Sequence, residues 1–423
     1  RSKLKLFSLG ISADSDLFTT EDLTLFAEHV TLSGIVSLDY APEPYSTIWS
    51  ARVDGELACL TLIRDQRIAG WTRHILGGRY VDSFGITFAT TDVNTTANTI
   101  TETAHGLATG TIARFKRIGL STLPDPMLEN TDYYANAIDF DTLAFHSTRL
   151  DAEKNINRIS LTTVGTLTNN IGVATNAVVE SVAVIPSPSG DPSLVGRANR
   201  DHDQVWMIVK RTVNGVTVRS VEFLEDFFAE DDVTEDAFFV DSGVTYNDQV
   251  APPTTTIANL THFRNETVDV LADGRPILGA VVSDAGVLTL AVAASKVHVG
   301  YRFDSTLQTL RQSVDDQQGT AQGKLGKITH LTMRLFKSLG GKYGENRQNL
   351  FDLGRLLVPQ SLKTDVVAPA YTGDIDLPFD GGWTTESPIY ITQEEPLPFT
   401  VVALLPSLEK GTRPNRGRGG AAT

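Results

Sequence analysis

The sequence predicts a mainly β protein: β-propeller-like blades, a small all-β module inserted among them, and a C-terminal β region. Two observations carry this reading. Residues 45–71 and 179–228 repeat one pattern, short strands of alternating apolar residues joined by tight turns. The turns include Asp54-Gly55 and Asn214-Gly215, dipeptides that supply the two positive-φ positions of a type I′ hairpin. A short-strand unit that recurs along a chain is how a propeller reads in one dimension. Such a fold is a scaffold, so function has to be argued from particular residues.

Residues 1–80 hold an N-terminal helix and the first propeller strands. The helix is expected over 20–30, with Thr20 as cap and Leu23, Leu25, Phe26 and Val30 as an apolar stripe. Gly77-Gly78 marks a break. The stretch 81–178 is richer in Thr, Asn and Ala and contains many short β-type segments, so it reads as an inserted small β domain entering and leaving at one loop tip. Propeller strands continue over 179–242, through Val205-Trp-Met-Ile-Val and Val216-Thr-Val-Arg-Ser-Val. Residues 243–303 form a second small β domain, with strands at Thr267–Leu271, Val287–Val292 and Lys296–Gly300. A C-terminal propeller/β region covers 304–409. Within it, the alternation of Leu331, Met333 and Leu335 favours a strand over a helix. Strands return over 371–405, with Pro406 just after them, and the Gly- and Arg-rich tail 410–423 is expected to be disordered.

The chain has 423 residues, 41% of them hydrophobic and 21% charged, the balance of a soluble multidomain protein. Its net charge of −15 opposes nonspecific adhesion to DNA or anionic membranes. No apolar run is long enough to span a bilayer, and the start Arg1-Ser-Lys-Leu-Lys lacks a secretory h-region. It also lacks Met, which points to a processed product or a fragment. With Cys59 as the single cysteine, no intrachain disulfide and no cysteine-based zinc site can form. Cys59 alternates with Leu57 and reads as a small core residue.

No catalytic, cofactor or metal site is expected. His74, in Trp71-Thr-Arg-His, lacks partners that would complete a site and reads as structural. His105-Gly106-Leu107 reads as a turn carrying an accessory histidine. Asp201-His202-Asp203 contains ligand-type side chains, but adjacent residues in an extended loop point in different directions. The run from Glu222 to Asp241 holds nine Asp/Glu and no Lys or Arg, without the spacing of an EF-hand loop. It reads as an acidic face, or in an oligomer as an acidic rim or lumen. Nucleotide-binding and hydrolase fingerprints do not occur.

Several spaced stretches resemble one family, the tail nozzle proteins of podophages, also called tail tubular protein B. These are Ile35–Trp49, Val53-Asp-Gly-Glu-Leu57, Gly70-Trp-Thr-Arg-His74 and Val179–Pro186. Val205–Gly215, Ala237–Gly243, Lys296–Gly300, Gly319–Gly323 and Gly381-Gly-Trp383 with Glu395-Pro-Leu-Pro398 continue the likeness. The insert is similar to small β modules of phage virion proteins through Thr103-Ala-His-Gly-Leu-Ala-Thr-Gly110 and Tyr133-Tyr134. The resemblance implies a homohexameric ring below the portal and its adaptor protein, in the virion tail and assembled in the host cytoplasm. That ring forms the distal tube through which DNA leaves, near tail fibres and the host surface. It implies no cofactor and no catalytic residue.

A conduit should repel phosphate, and the negative chain with its acidic run suits that role. A ring needs heterologous contacts. The basic/apolar run 323–339, with Lys324, Lys327 and Lys337, is the expected partner of Asp231 and Asp232 on a neighbouring copy. Two other functions compete with the nozzle reading. In one, the insert recognises a host receptor or glycan, with Tyr133, Tyr134, Phe145 and Phe115 clustered on one face. In the other, the propeller is a glycosidase with two carboxylates in a cleft.

Overall fold

The computed structural model describes residues 3–12, 15–66, 68–186, 202–247, 252–312, 325–358 and 367–410. Several antiparallel sheets dominate it and none closes into a barrel. The chain divides into two compact units: Arg1–Asp226 with Thr256–Val268 and Ala280–Ala291, and Phe227–Thr255 with Asp269–Gly279 and Val292–Thr423. The segment set apart in the sequence as 243–303 therefore contributes to both.

The first unit opens with a hairpin of β1 (Lys5–Ser12) and β2 (Ser15–Asp22). The helix expected over 20–30 shrinks to one turn, α1 (Glu28–Thr31). Asp22 explains this: its carboxylate accepts from both Thr24 N–H and Thr24 Oγ1–H, which favours a turn over a helix start. Trp71 Nε1–H then donates to the Leu23 carbonyl, and Phe26 and Leu25 of the supposed stripe point to solvent.

A four-stranded meander follows, β3 (Ile35–Ala41), β4 (Thr47–Arg52), β5 (Leu57–Ile63) and β6 (Ile68–His74), paired in sequence order. The Asp54-Gly55 turn joins β4 to β5 with Gly55 at φ 87°, but Asp54 does not take positive φ. Gly55 N–H bonds back to the Arg52 carbonyl in a longer turn, so the type I′ geometry expected of this dipeptide forms at Asn214-Gly215 (φ 48° and 70°) and not here. Cys59 is buried on β5, as expected, and burial pushes its thiol up to about 11.

The insert is one sheet built from β7 (Arg79–Val81), β8 (Ile86–Ala89), β9 (Val93–Asn94), β10 (Thr99–Thr101), β11 (Ile112–Arg117), β12 (Tyr133–Ala137), β13 (Thr142–His146) and β14 (Thr168–Asn176). Its order is β7-β14-β11-β12-β13-β10-β9, with β8 also on β14. A helix, α2 (Arg149–Lys154), is capped by Thr148, whose side chain accepts from Asp151 N–H. The insert has its own core, in which Phe88, Ile100, Phe115, Leu143, Phe145 and Ile171 pack together. Because β7 pairs with the end of β14, the module begins and ends side by side.

The chain then forms a second meander, β15 (Val178–Ile185), β16 (Gln204–Val213) and β17 (Val216–Phe223), turning at Asn214-Gly215. This sheet packs face to face on β3–β6 through Ala41, Ala51 and Leu57 on one side and Val179, Val182, Val205, Met207 and Val209 on the other. Ser37 Oγ–H donates to the Val182 carbonyl and accepts from Val182 N–H, while Asp39 accepts from Val184 N–H.

Next come β18 (Asp241–Asn247), β19 (Thr254–Ile257), β20 (Thr267–Ala272), β21 (Arg275–Val281), β22 (Leu288–Ala294) and β23 (Lys296–Tyr301), in sheets of order β18-β23-β20-β21 and β19-β22. The C-terminal region holds β24 (Ser305–Gln308), β25 (Gly326–Ser338), β26 (Lys342–Asn346), β27 (Asn349–Asp352), β28 (Tyr371–Pro378), β29 (Tyr390–Gln393) and β30 (Thr400–Lys410). The strand reading of the run 323–339 is borne out over Gly326–Ser338. On β25, Ile328, Leu331, Met333 and Leu335 are buried against Tyr343, Leu377, Phe379 and Ile391, and a register shift between Ile328 and His330 changes the inward parity. Pro406 lies within β30 rather than after it. That strand is at the edge of β28-β25-β30, where a missing N–H is tolerated.

Candidate functional site

The most built arrangement of charged groups in the first unit lies where the insert meets its scaffold. On β11, Ala113 and Phe115 face the insert core, so Arg114 falls on the opposite face, yet it too is buried. Its Nε–H donates to Asp132 Oδ1 at 2.7 Å and its Nη1–H to Glu266 Oε2 at 3.0 Å. Arg79 Nε–H holds the other Asp132 oxygen at 2.5 Å, and Glu266 Oε1 accepts from Asn214 N–H at 3.3 Å. Two guanidinium groups thus face two carboxylates, with no net charge to bury. Around them, Lys116 Nζ donates to the Gly215 carbonyl, and Arg211 Nε–H donates to the Gly77 carbonyl. Thr212 Oγ1 accepts from Val81 N–H and donates to Val81 O.

Burial disfavours the charged form of Asp132, but Arg114 and Arg79 outweigh it and hold the carboxyl below its ordinary range. Burial also dominates at Glu266, only 1% exposed, and leaves its carboxyl raised despite Arg114. A recess of about 20 Å³ beside the network, lined by Phe84, Phe115, Lys116, Glu129, Asn130, Asn214 and Gly215, has room for about one water. A second, of about 10 Å³, lies in the other unit near Glu345 and Gly381-Gly382. The network is a mechanical joint: it fixes the orientation of the insert on the β16–β17 hairpin.

The residues expected as host contacts are not gathered on an exposed face. Tyr133 and Phe145 are buried in the insert core, where Phe115 meets both edge-to-face at 5.5 and 5.0 Å. The cause is β-strand parity, which puts Phe115, Tyr133 and Phe145 on one inward face and Tyr134, half-buried opposite His146, on the other. Tyr133 OH serves locally, accepting from Leu128 N–H.

The residues expected to join neighbouring copies are also dispersed. Lys337 Nζ lies 3.4 Å from the Asp232 carbonyl of its own chain, and Asp232 is buried, its carboxylate accepting from Ala229 N–H. Asp231 is exposed, Lys327 is half-buried opposite Glu409, and Lys324 lies outside the described residues. Much of the acidic run folds onto the second unit: Asp236 pairs with Lys296, the Glu235 carbonyl accepts from His298 Nε2–H, and Phe228 and Phe239 pack near Ala237 and Leu271.

The remaining candidates are local braces. His105 Nδ1 accepts from Leu107 N–H while Nε2–H donates to the Asp139 carbonyl, the turn role expected of it. His74 lies against Trp49, with ring centroids 5.2 Å apart. His202 bonds Asp226 whereas Asp203 accepts from Glu43 N–H, so the two diverge as adjacent loop residues should; Asp201 lies outside the described residues. Among the described residues, no group of three or more His, Cys, Asp or Glu is placed to hold a metal.

Sequence reasoning missed the joint itself. Its one local signal was Arg114, a charge between apolar neighbours in a strand; Asp132 and Glu266 gave none, because their partners are distant in the chain. No family model matches this chain, and no curated protein matches it.

Proposed function

We propose that this chain is a structural virion protein, a subunit of a phage tail nozzle that forms the distal tube through which DNA is ejected. The reading rests on the family resemblance of the spaced motifs between Ile35 and Pro398. The observation that carries it is the pair of stacked antiparallel meanders, β3–β6 and β15–β17, interrupted by an insert whose ends lie together. We read these meanders as adjacent blades of a propeller. The insert joint supports a mechanical role, since its charged groups bond one another and leave little space for a substrate. A net charge of −15 suits a wall that DNA must pass without adhering.

In this reading the subunit forms a homohexamer, binds the tail adaptor protein above, and sits near the tail fibres and the host surface. A host-binding role for the insert loses its aromatic argument, because Phe115, Tyr133 and Phe145 are core residues. Electron cryomicroscopy of the tail that carries this chain tests the proposal. A six-fold ring at the distal tube with the insert projecting from it is expected; finding the chain only on peripheral fibres would overturn it.

A further inference from the structure

Asn214-Gly215 is the single Asn-Gly pair of the sequence, and it forms the two-residue loop between β16 and β17. Both residues take positive φ, 48° and 70°, as a type I′ turn requires. The same loop is where the scaffold grips the insert. Asn214 N–H donates to Glu266 Oε1, and the Gly215 carbonyl accepts from Lys116 Nζ. Asn214 is exposed. Its side-chain Oδ1 accepts from Asn265 Nδ2–H at 3.1 Å, and the same Asn265 amide donates to Asp284 Oδ1.

An asparagine before glycine can close on its own backbone, because no Cβ shields the next amide nitrogen. Elsewhere a side chain guards that nitrogen, as after Asn98 and Asn130, which also take positive φ but precede threonine. At Asn214 the donor from Asn265 polarises the side-chain carbonyl, and the Gly215 N–H makes no hydrogen bond among the described residues. We propose that Asn214 is a site of spontaneous modification, and that its conversion loosens the insert from its scaffold. The Gly215 nitrogen gives up its proton and bonds to Asn214 Cγ; the Cγ–Nδ2 bond breaks and ammonia leaves. Water then opens the resulting succinimide at either carbonyl, to aspartate or to isoaspartate. Isoaspartate routes the main chain through the former side chain and so adds one atom between the Asn214 N–H and the Gly215 carbonyl. Those two groups hold Glu266 and Lys116, and the longer turn moves one away from its partner. Either product also places a carboxylate beside Glu266, which is almost fully buried.

The test is incubation of the full chain in warm, mildly alkaline buffer, then isoaspartate-specific peptide mapping and amide exchange of the modified and unmodified fractions. Asn214 is expected to convert ahead of every other asparagine, and the modified fraction to lose protection along 112–117 while the insert core keeps its own. Asn214→Gly tolerates the positive φ and cannot cyclise, so it should keep that protection through the same incubation, measured against its own fresh sample. An Asn214 that stays intact while other asparagines convert overturns the site. Conversion with protection unchanged overturns its effect on the joint, and so does an equal loss of protection in aged Asn214→Gly. Asn265→Ala removes the polarising donor and should slow conversion about fivefold, the worth of one ordinary hydrogen bond. An unchanged or faster rate overturns the part given to Asn265.

Discussion

Arg114 is the residue on which the insert's attachment turns. Its guanidinium is the common partner of Asp132 and Glu266, and Glu266 is almost fully buried. Arg114→Ala strands that carboxylate, a change that costs about 3–5 kcal/mol at buried pairs. The expected result is faster amide exchange along 112–117 and at the Asn214 turn, with exchange in the insert core largely retained. The pH dependence follows from two opposed shifts. Asp132 is depressed, so its contribution is present above its ordinary value of 3.8 and is lost as pH falls through its lower folded value. Glu266 is raised, so its ionisation works against the fold as pH rises through its folded value. Asp132→Asn should therefore remove the acid-side loss of protection, measured by exchange from about pH 4 downward. Cys59 offers an independent check. With its thiol near 11 against an ordinary 9.0, its reaction with a disulfide reagent at pH 8 should be about 100-fold slower than in the urea-unfolded chain. Labelling at the unfolded rate would place Cys59 outside the core.

Among the elements, β14 is the most tightly constrained, because it pairs with β7, β8 and β11. Gly172 makes this possible. A Cβ there would lie 2.4 Å from Val81 Cγ1 and 2.9 Å from Ser83 O. Gly172→Ala should cost about 1–3 kcal/mol through overpacking. Gly70→Ala on β6, where a Cβ meets nothing within 4 Å, should change stability by less than about 0.5 kcal/mol. Thermal melts of the two variants compare them directly, and equal effects would show that the β7–β14 contact is loose. The sequence made elements of this kind legible where local chemistry decides them. Asp54-Gly55 and Asn214-Gly215 are turns, and β25 is a strand. It misled where a single side chain outcompeted periodicity: the Asp22–Thr24 turn replaces most of a helix whose apolar stripe looked sound. It was silent on parity in short strands, so Tyr133 and Phe145 could be read as surface when they are core. The joint was illegible for a different reason, since Arg114 and Glu266 are 152 residues apart.

For the whole molecule, charge and modularity set the expectations. An excess of acidic residues should keep the protein from retaining double-stranded DNA. Gel-shift at 50 mM salt is expected to give no complex, and tight binding there would count against a conduit. The buried insert core lies between Phe88 and Ile171, with Ile86 packed against it. The excised segment 79–177 is thus expected to fold alone with a cooperative melt, and a featureless melt would show that the scaffold is needed to shape it. The pairing of Arg79 with Asn176, and of Val81 with Ala174, has one more consequence. The two ends of the module leave the scaffold one strand spacing apart, about 5 Å. Any other domain whose termini meet across a strand pair could take its place at small loop-closure cost. A lineage could then trade this appendage by recombination while the scaffold beneath it stays the same.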